Sequence, residues 1–469
     1  MDIVVVGGGI SGLTTALTLL DERADARVTV LEAAGRVGGK ITTEPFAGFD
    51  VDCAADAFLA RVPDAVSLCD RLGLDAELVT PAQRSAYLYS RDALRRFPTG
   101  LVLGVPTDLD ALTQSGVVSP AGVARAALDL TMGPDPRSND DESVGALVRR
   151  RLGDEVYEVL VGPLLSGVNA GNADWLSVAA GAPQFAAAMS NHGSLIAGAR
   201  AQWAASAVTP AGGDPAPVFY GLPGGMARIV DGLVDAITDL GGDIRVGTRV
   251  TEVGAAPDRR YRVETTAPDG PVTYLADAVV LATPLFVTAP LVAPFCRDVA
   301  VDMTEVDYAS PVMVTLAVPK ASITHPLDAS GFLVASPEGL VLTACSWASS
   351  KWAHLDSAET AILRASAGRH HDPRTDAMSD DELVRAVLDD LATTMGLDGP
   401  PTEVRVTRWP QALPQFRVGH LQRVQHWRSE LAASAPGVVV TGAGFEGLGI
   451  PACIRQGRVA AKTLIDQHF

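Results

Sequence analysis

The sequence is poor in cysteine, and the cysteines that it has are scattered. Cys53, Cys69, Cys296, Cys345 and Cys453 are odd in number and widely spaced. That spacing excludes the usual zinc-ligand patterns and the redox Cys-x-x-Cys pair. We therefore expect buried, reduced thiols in a cytoplasmic protein and no metal site.

Positive charge is also scarce. The chain has 37 basic residues against 55 acidic ones, a formal net charge of −18, and only four of the basic residues are lysines. Proteins that bind nucleic acids set clustered cationic side chains against the phosphates. The charge balance therefore argues against a nucleic-acid partner.

Long apolar segments are absent as well. The chain enters a short apolar run directly after Met1 and Asp2, without the basic segment that begins a signal peptide. The uncharged stretch 278–296 approaches the length of a membrane span, but three prolines interrupt it. We predict a buried strand over 278–282, then a proline-rich loop, and no transmembrane segment.

Glycine is abundant, and its first cluster carries a recognisable pattern. A β-branched run over 2–6, a helical pattern over 10–21 and a second strand over 27–31 predict a βαβ unit. Between the first strand and the helix lies the G-x-G-x-x-G sequence Gly7-Gly8-Gly9-Ile10-Ser11-Gly12, and Glu32 ends the second strand. This spacing is typical of a dinucleotide site, with a pyrophosphate at the helix N-terminus and the acidic residue on the ribose hydroxyls.

The residues after Glu32 distinguish flavin from nicotinamide. The segment Glu32-Ala33-Ala34-Gly35-Arg36-Val37-Gly38-Gly39-Lys40 resembles the E-x-x-x-R-x-G-G signature of the amine oxidase and porphyrinogen oxidase superfamily. The resemblance implies FAD as the cofactor, with glycine backbone passing close to it and with Arg36 and Lys40 supplying positive charge.

Further segments narrow the resemblance to the porphyrinogen oxidases. The sequences that carry it are Phe97-Pro98-Thr99-Gly100 with Leu103 to Thr107, Gly221 to Met226, Trp409 to His420, and Gly442 to Ile454. The Gly449-Ile450-Pro451 form resembles the soluble bacterial coproporphyrinogen III oxidases more than the mitochondrial protoporphyrinogen oxidases. Two departures are Ala54 to Ala57, where the family often has G-P-D-S, and Ala452, where it has aspartate.

The resemblance implies an α/β fold: a Rossmann-like FAD-binding domain, a mixed α+β substrate domain and a mostly helical insert. We assign 1–84, 215–295 and 425–469 to the first, 296–424 to the second and 85–214 to the insert. Residue patterns predict helices over 121–132, 142–151, 154–162, 194–206, 225–240, 380–396 and 451–467, and strands over 312–318, 331–335, 340–345 and 438–441. Residues 209–217 read as an exposed loop.

The resemblance also implies site residues. Predicted FAD contacts are Gly7, Gly8, Gly9, Ile10, Ser11, Gly12, Glu32, Ala33, Arg36, Gly39, Lys40, Ala54, Ala55, Asp56, Ala57, Val250, Trp409, Gly449, Ile450 and Pro451. Predicted tetrapyrrole contacts are Arg95 and Arg96, because arginine matches carboxylates, and Phe416. The sequence singles out no catalytic acid or base; His420 reads as a structural histidine, and His370 and His371 as loop surface.

The implied reaction is the six-electron oxidation of coproporphyrinogen III in haem biosynthesis. Three hydride transfers to the flavin aromatise the macrocycle, and molecular oxygen reoxidises the flavin. The expected location is the cytoplasm. Peripheral contact at the inner face of the membrane and transient contact with other haem-pathway enzymes stay open alternatives.

Three alternatives remain. Protoporphyrinogen IX differs from coproporphyrinogen by two vinyl groups in place of propionates, and the motifs do not separate the two substrates cleanly. Amine oxidases usually place a lysine near the flavin, for which Lys320 is the plausible candidate here. A non-catalytic FAD-binding scaffold is the third.

Overall fold

The computed structural model describes residues 1–133, 140–206 and 217–468. Helices and strands both occur along the chain, and the described residues between 109 and 206 are mainly helical. The helices are α1 Ile10–Glu22, α2 Pro63–Arg71, α3 Leu109–Ser115, α4 Pro120–Ala127, α5 Val144–Leu152, α6 Asp154–Val156, α7 Gly162–Asn169, α8 Val178–Gly181, α9 Pro183–His192, α10 Leu195–Ser206, α11 Ala227–Asp239, α12 Leu285–Val292, α13 Arg297–Thr304, α14 Ala348–Lys351, α15 Arg374–Ala377, α16 Asp380–Met395, α17 His420–Ser434, α18 Ala443–Glu446 and α19 Ile450–His468.

The strands are mostly short. They are β1 Asp2–Val6, β2 Arg27–Leu31, β3 Thr43–Phe46, β4 Phe49–Asp52, β5 Phe58–Leu59, β6 Tyr87–Ser90, β7 Ala93–Arg96, β8 Leu101–Val102, β9 Val105–Pro106, β10 Phe219–Tyr220, β11 Asp243–Arg245, β12 Arg249–Ala255, β13 Tyr261–Ala267, β14 Gly270–Ala276, β15 Ala278–Leu281, β16 Tyr308–Ala309, β17 Val312–Pro319, β18 Gly331–Val334, β19 Leu342–Trp347, β20 Thr360–Ala367, β21 Glu403–Arg408, β22 Leu413–Pro414 and β23 Val438–Val440.

The chain divides into two compact units. The first contains Met1–Val79, Val218–Asp307 and Leu421–Phe469, and the second contains Thr80–Pro217 and Tyr308–His420. The predicted helical insert, 85–214, and most of the predicted substrate domain, 296–424, fall within the second unit, whereas 296–307 and 421–424 belong to the first. Their separation into two domains stays a prediction.

A five-stranded parallel sheet forms the centre of the first unit. Its strand order is β11, β2, β1, β15, β23, and each neighbouring pair is parallel. Residues 3–6 and 278–281 are buried, as expected of strands covered on both faces. The sheet and α1 confirm the βαβ unit predicted at the start of the chain.

Helices α1 and α19 cross at very short range within this unit. A Cβ on Gly457 of α19 would lie 2.5 Å from the carbonyl oxygen of Ser11 in α1. The hydroxyl of Thr15 donates to the Gly457 carbonyl at 3.0 Å. Glycine at the crossing therefore lets the two helices approach backbone to backbone, which brings their N-terminal ends together.

A seven-stranded sheet organises the second unit. Its order is β21, β17, β20, β19, β18, β6, β7, and the β18–β6 pair is parallel. Val312, Val314, Leu316 and Val318 of β17 join one hydrophobic cluster with the buried side of α16, because alternate residues of a strand share a face. On the opposite face, Thr315 is paired with Arg364 and Arg405 of the neighbouring strands.

A buried ion pair holds the helical part of the second unit. The side chains of Arg151 and Asp129 are 3% and 0% exposed. Asp129 also accepts hydrogen bonds from the Ser194 hydroxyl at 2.6 Å and the Ile196 amide at 2.9 Å. Arg151 donates to the backbone carbonyls of Gly133 and Gly193. The charged groups are thus fully paired, as burial requires.

Several sequence-based boundaries were wrong. The helix predicted over 154–162 continues to Asn169 through a π-helical turn, Tyr157–Val161, and Pro163 is accommodated because it lies in the first turn of α7. The proline-rich loop predicted after 278–282 contains helix α12, with Pro290 inside it. The strand predicted over 340–345 runs over Leu342–Trp347, and helix α17 was not predicted.

The loop predicted over 209–217 falls almost entirely outside the described residues. Among the residues that the structure describes, no helix combines the length and the apolar character that a membrane crossing needs.

Candidate cofactor site

The G-x-G-x-x-G segment at the start of α1 has one open glycine, Gly9, and three enclosed ones, Gly7, Gly8 and Gly12. Gly7 adopts φ +105°, and a Cβ there would lie 2.8 Å from the Ala282 carbonyl oxygen. A Cβ on Gly12 would lie 2.0 Å from the Gly7 carbonyl oxygen. Apart from its chain neighbours, no described residue has an atom within 4 Å of the Cβ position of Gly9, so the backbone there can approach a ligand closely.

Glu32 is held in place at the end of β2. Its Oε2 accepts a hydrogen bond from the Gly8 amide at 2.7 Å, and its Oε1 accepts one from the Ala34 amide at 2.7 Å. The neighbouring Ala33 is exposed, whereas Ile10 and Ser11 are buried in the first turn of α1. The carboxylate is therefore oriented beside the glycine loop, where a ribose of a dinucleotide would contact it.

The loop after β2 folds back onto the glycine loop. The Gly38 amide donates to the Gly8 carbonyl at 2.8 Å. The guanidinium of Arg36 donates to the carbonyls of Val37 at 3.0 Å and Gly39 at 2.9 Å. Arg36 thus fixes the shape of its own loop, and its predicted contribution of charge to the cofactor stays a prediction.

Lys40 supplies an uncompensated positive charge to this region. Its side chain is half-buried, and among the described residues its ammonium group has no hydrogen-bond or ion-pair partner. Burial lowers the pKa of Lys40, and the nearby Cys453 thiol acts in the opposite direction. A buried cation without a partner is unfavourable by itself, so an anionic ligand would be stabilised here.

The N-terminus of α19 lies beside the N-terminus of α1. Burial raises the pKa of the Cys453 thiol, while a hydrogen bond with Ser11 and the charge of Lys40 lower it. Gly449 precedes α19, and Ile450 and Pro451 begin it, directly before the turn that contains Cys453. Two helix N-termini and one lysine therefore converge, and each of the three favours negative charge.

A buried glutamine supports the glycine-rich turn before α19. Gln456 is 2% exposed; its Oε1 accepts from the Glu446 amide at 3.0 Å, and its Nε2 donates to the Gly447 carbonyl at 2.9 Å. Glu446 also pairs with Arg428. These contacts set the path of the chain into α19 and were not predicted from the sequence.

Asp52 is a second residue that the sequence analysis missed. Its carboxylate is buried and accepts from the Thr43 hydroxyl at 2.6 Å and the Met226 amide at 2.8 Å. Gly225 adopts φ +76°, and a Cβ there would lie 2.3 Å from Thr43. Both features require glycine at this position. Asp52 thereby joins the glycine turn before α11 to the segment that leads into Ala54 to Ala57.

The remaining predicted cofactor residues occupy different surroundings. Ala54, Asp56 and Ala57 are half-buried and Ala55 is exposed, between β4 and β5. Val250 is buried in β12 next to a β-bulge, and its backbone contact with FAD stays a prediction. Trp409 lies in the second unit, half-buried, and its amide donates to the Pro311 carbonyl at 3.0 Å.

The three predicted substrate residues also lie in the second unit. Arg95 donates to the carbonyls of its own hairpin, including that of Ala93 at 3.3 Å. Arg96 pairs with Asp328 and lies over the Tyr87 ring. Phe416 is 3% exposed and stacks on His420. Their predicted contact with a tetrapyrrole stays a prediction.

Two other residues considered in the sequence have ordinary partners. Lys320, the candidate amine-oxidase lysine, forms an ion pair with Asp356 at 2.8 Å. His371 is exposed and packs edge-on against Trp175, with 4.2 Å between ring centroids. Among the described residues, no group of three or more histidine, cysteine or acidic side chains could hold a metal ion.

Comparison with known proteins extends over the whole chain. The family described as flavin containing amine oxidoreductase matches residues 10–465. Coproporphyrinogen III oxidase of Bacillus subtilis is 33% identical over 476 residues, covering 100% of this chain and 98% of the relative. The enzyme of the same name from Mycobacterium tuberculosis H37Rv is 34% identical, covering 98% of this chain and 97% of the relative.

The fold has a close match among solved structures. A crystal structure from Exiguobacterium sp. 255-15, described provisionally as a protoporphyrinogen oxidase, superposes with a TM-score of 0.86. It is 30% identical, and the match covers 99% of each chain. The open glycine loop, the half-buried Lys40 and the paired helix N-termini fit a flavin cofactor, which the family description names.

Proposed function

Because the chain belongs to the family of flavin-containing amine oxidoreductases, we propose that it is an FAD-dependent porphyrinogen oxidase acting on coproporphyrinogen III. The observation that carries this proposal is similarity to coproporphyrinogen III oxidases along the entire chain. The converging positive groups around Gly9, Lys40 and Gly449 supply the matching cofactor site.

The overall reaction removes six electrons. Coproporphyrinogen III and three molecules of oxygen give coproporphyrin III and three molecules of hydrogen peroxide. FAD, when bound, accepts the hydride in each of three rounds and passes the electrons to oxygen. Each round removes one hydride from a bridging carbon and one proton from the macrocycle, and tautomerisation brings the next hydrogen to the same position.

The residues of this chain bind and orient in that scheme. Glu32, fixed by two backbone amides, would accept hydrogen bonds from the ribose hydroxyls of FAD. The N-terminus of α1 would hold the pyrophosphate, for which the open Gly9 leaves room. Lys40 and the N-terminus of α19 would favour negative charge on the cofactor.

The test compares two substrates with one purified preparation. The FAD-loaded protein is incubated aerobically with coproporphyrinogen III or protoporphyrinogen IX, and porphyrin fluorescence reports the product. We expect a higher kcat/KM on coproporphyrinogen III, with peroxide formed in a ratio of three to one porphyrin. A preference for protoporphyrinogen IX would overturn the substrate assignment and leave the chemistry in place.

Absence of product from both substrates would contradict the proposal itself. Primary amines then become the substrates to test, although the pairing of Lys320 with Asp356 gives that alternative little support.

A further inference from the structure

The second unit contains an open cavity of about 400 Å³. This volume lies within the range of small-molecule sites in proteins, about 300–1,000 Å³. Its lining combines a cation, an indole, two hydroxyls and a carboxylate: Arg200, Trp203, Thr99, Thr107 and Asp108, with Gly100 completing it. None of these residues belongs to the cofactor site.

A tight hairpin forms one wall of the cavity. Strands β8 and β9 pair through Leu101 with Pro106, and both the amide and the hydroxyl of Thr107 donate to the Gly100 carbonyl at 2.8 Å. At the tip, a Cβ on Gly104 would lie 2.8 Å from Val161 in the π-helical turn. The wall is therefore anchored at both ends, which favours a preformed site.

Helix α10 forms the facing wall and orients the arginine. The Nε of Arg200 donates to the Thr107 carbonyl at 2.7 Å, and this is the one hydrogen bond of its side chain within the described residues. The two terminal nitrogens of the guanidinium remain available, and together they match a carboxylate. One carboxylate oxygen of Asp108, Oδ1, is occupied, because it accepts hydrogen bonds from the amides of Asp110 and Ala111.

Trp203 lies one helical turn after Arg200, on the same face of α10. Its side chain is a large aromatic surface that is 46% exposed. Most tryptophans in a folded domain are covered, so the indole offers a stacking surface. A ligand for this cavity would therefore have a flat aromatic body and a carboxylate at its edge.

We propose that this cavity binds the porphyrin product, with its ring on Trp203 and a propionate on Arg200. The identity of the ligand rests on the proposed function. Porphyrinogen has four tetrahedral bridging carbons and is puckered, whereas the oxidised macrocycle is flat. Stacking on an indole therefore favours product over substrate.

Equilibrium binding of coproporphyrin III to the FAD-loaded protein tests the proposal. The variants are Arg200→Gln and Trp203→Leu. The matched controls are Arg385→Gln, an exposed arginine whose Nε also donates to a backbone carbonyl, and Trp175→Leu, whose indole is 40% exposed. We expect affinity about tenfold lower in each test variant, since a charged hydrogen bond and an aromatic stack each contribute roughly that much, and unchanged affinity in both controls.

The same titration with coproporphyrinogen III tests the preference for the flat ring. The flavin is first reduced with dithionite under argon, so that the substrate cannot be oxidised. We expect weaker binding than for coproporphyrin III and little effect of Trp203→Leu. If Trp203→Leu weakened the binding of both ligands equally, the proposal would be overturned. The absence of any loss of coproporphyrin III affinity in either test variant would also overturn it.

The outcome is separable from that of the proposed function. Binding of coproporphyrin III needs no turnover, so the cavity can be verified even where neither porphyrinogen is oxidised. Conversely, normal oxidation together with unchanged binding in Arg200→Gln and Trp203→Leu would contradict the cavity alone.

Discussion

Gly9 and Gly12 are three residues apart in the G-x-G-x-x-G sequence but have opposite surroundings. The Cβ position of Gly9 faces open space, while that of Gly12 lies 2.0 Å from the Gly7 carbonyl oxygen. The first glycine leaves room for a ligand and the second leaves room for the protein itself. Substitution by alanine separates these two requirements.

We expect Gly9→Ala to fold normally and to bind FAD weakly. Gly9 has φ −76° and ψ 175°, which alanine adopts without strain, so the unfolding free energy should change by less than about 0.5 kcal/mol. The new methyl group occupies the space for the pyrophosphate, and FAD affinity should fall at least tenfold. Flavin fluorescence titration and thermal unfolding of the apoprotein measure the two quantities.

Gly12→Ala is the matched comparison. Its methyl group would overlap the Gly7 carbonyl, so we expect a large loss of apoprotein stability. If Gly9→Ala bound FAD like the original protein, the pyrophosphate could not lie on this loop.

At the residue level, local motifs could be predicted and distant pairings could not. The G-x-G-x-x-G sequence and Glu32 lie in one βαβ unit, and their geometry follows from chain neighbours. Asp52 and Met226 are 174 positions apart, and nothing in either segment indicates the other. Arg36 illustrates a further limit, because a motif names a charged residue without revealing that loop carbonyls surround it.

At the level of elements, Asp129 connects two helices. It forms an ion pair with Arg151 of α5 and accepts hydrogen bonds at the start of α10. Asp129→Asn leaves Arg151 buried without a full counter-charge. We expect the unfolding free energy to fall by about 3 kcal/mol, as for other buried pairs that lose one partner. Urea denaturation followed by circular dichroism measures the change.

The control for this prediction is an exposed pair. Arg245 and Asp243 have side chains that are 59% and 45% exposed, and Asp243→Asn should cost less than about 1 kcal/mol. Equal losses in the two variants would mean that burial does not govern the contribution of Asp129.

Some elements escaped prediction although their signal was present. Val424, Trp427 and Leu431 of α17 are buried, and their spacing of three and four is helical. Charged residues on the other faces obscured that spacing. The π-helical turn Tyr157–Val161 is different, because its residues suit an α-helix equally well. Gly104 of a distant hairpin contacts this turn, and such a contact is not visible in local sequence.

At the scale of the whole molecule, the chain returns to the first unit twice. Three separate segments build that unit, and the division into three domains that the resemblance implied stays a prediction. Periodicity alone would have given a series of local elements without their assignment to units. The predicted FAD contacts lie in the first unit, except for Trp409.

This distribution predicts where FAD binding slows amide hydrogen exchange. The first amides of a helix have no intrahelical partner, and the loop 38–41 lies against the glycine segment. A bound anion should therefore slow exchange in segments 8–13, 38–41 and 449–453 together. Residues 261–276 of the same unit, an antiparallel hairpin, and helix α16 of the second unit should exchange at unchanged rates. The measurement compares apoprotein and FAD-loaded protein by mass spectrometry. Protection confined to 8–13 would mean that the N-terminus of α19 and Lys40 do not contact the cofactor, and protection spread evenly over both units would indicate general stabilisation instead of a site built from three segments.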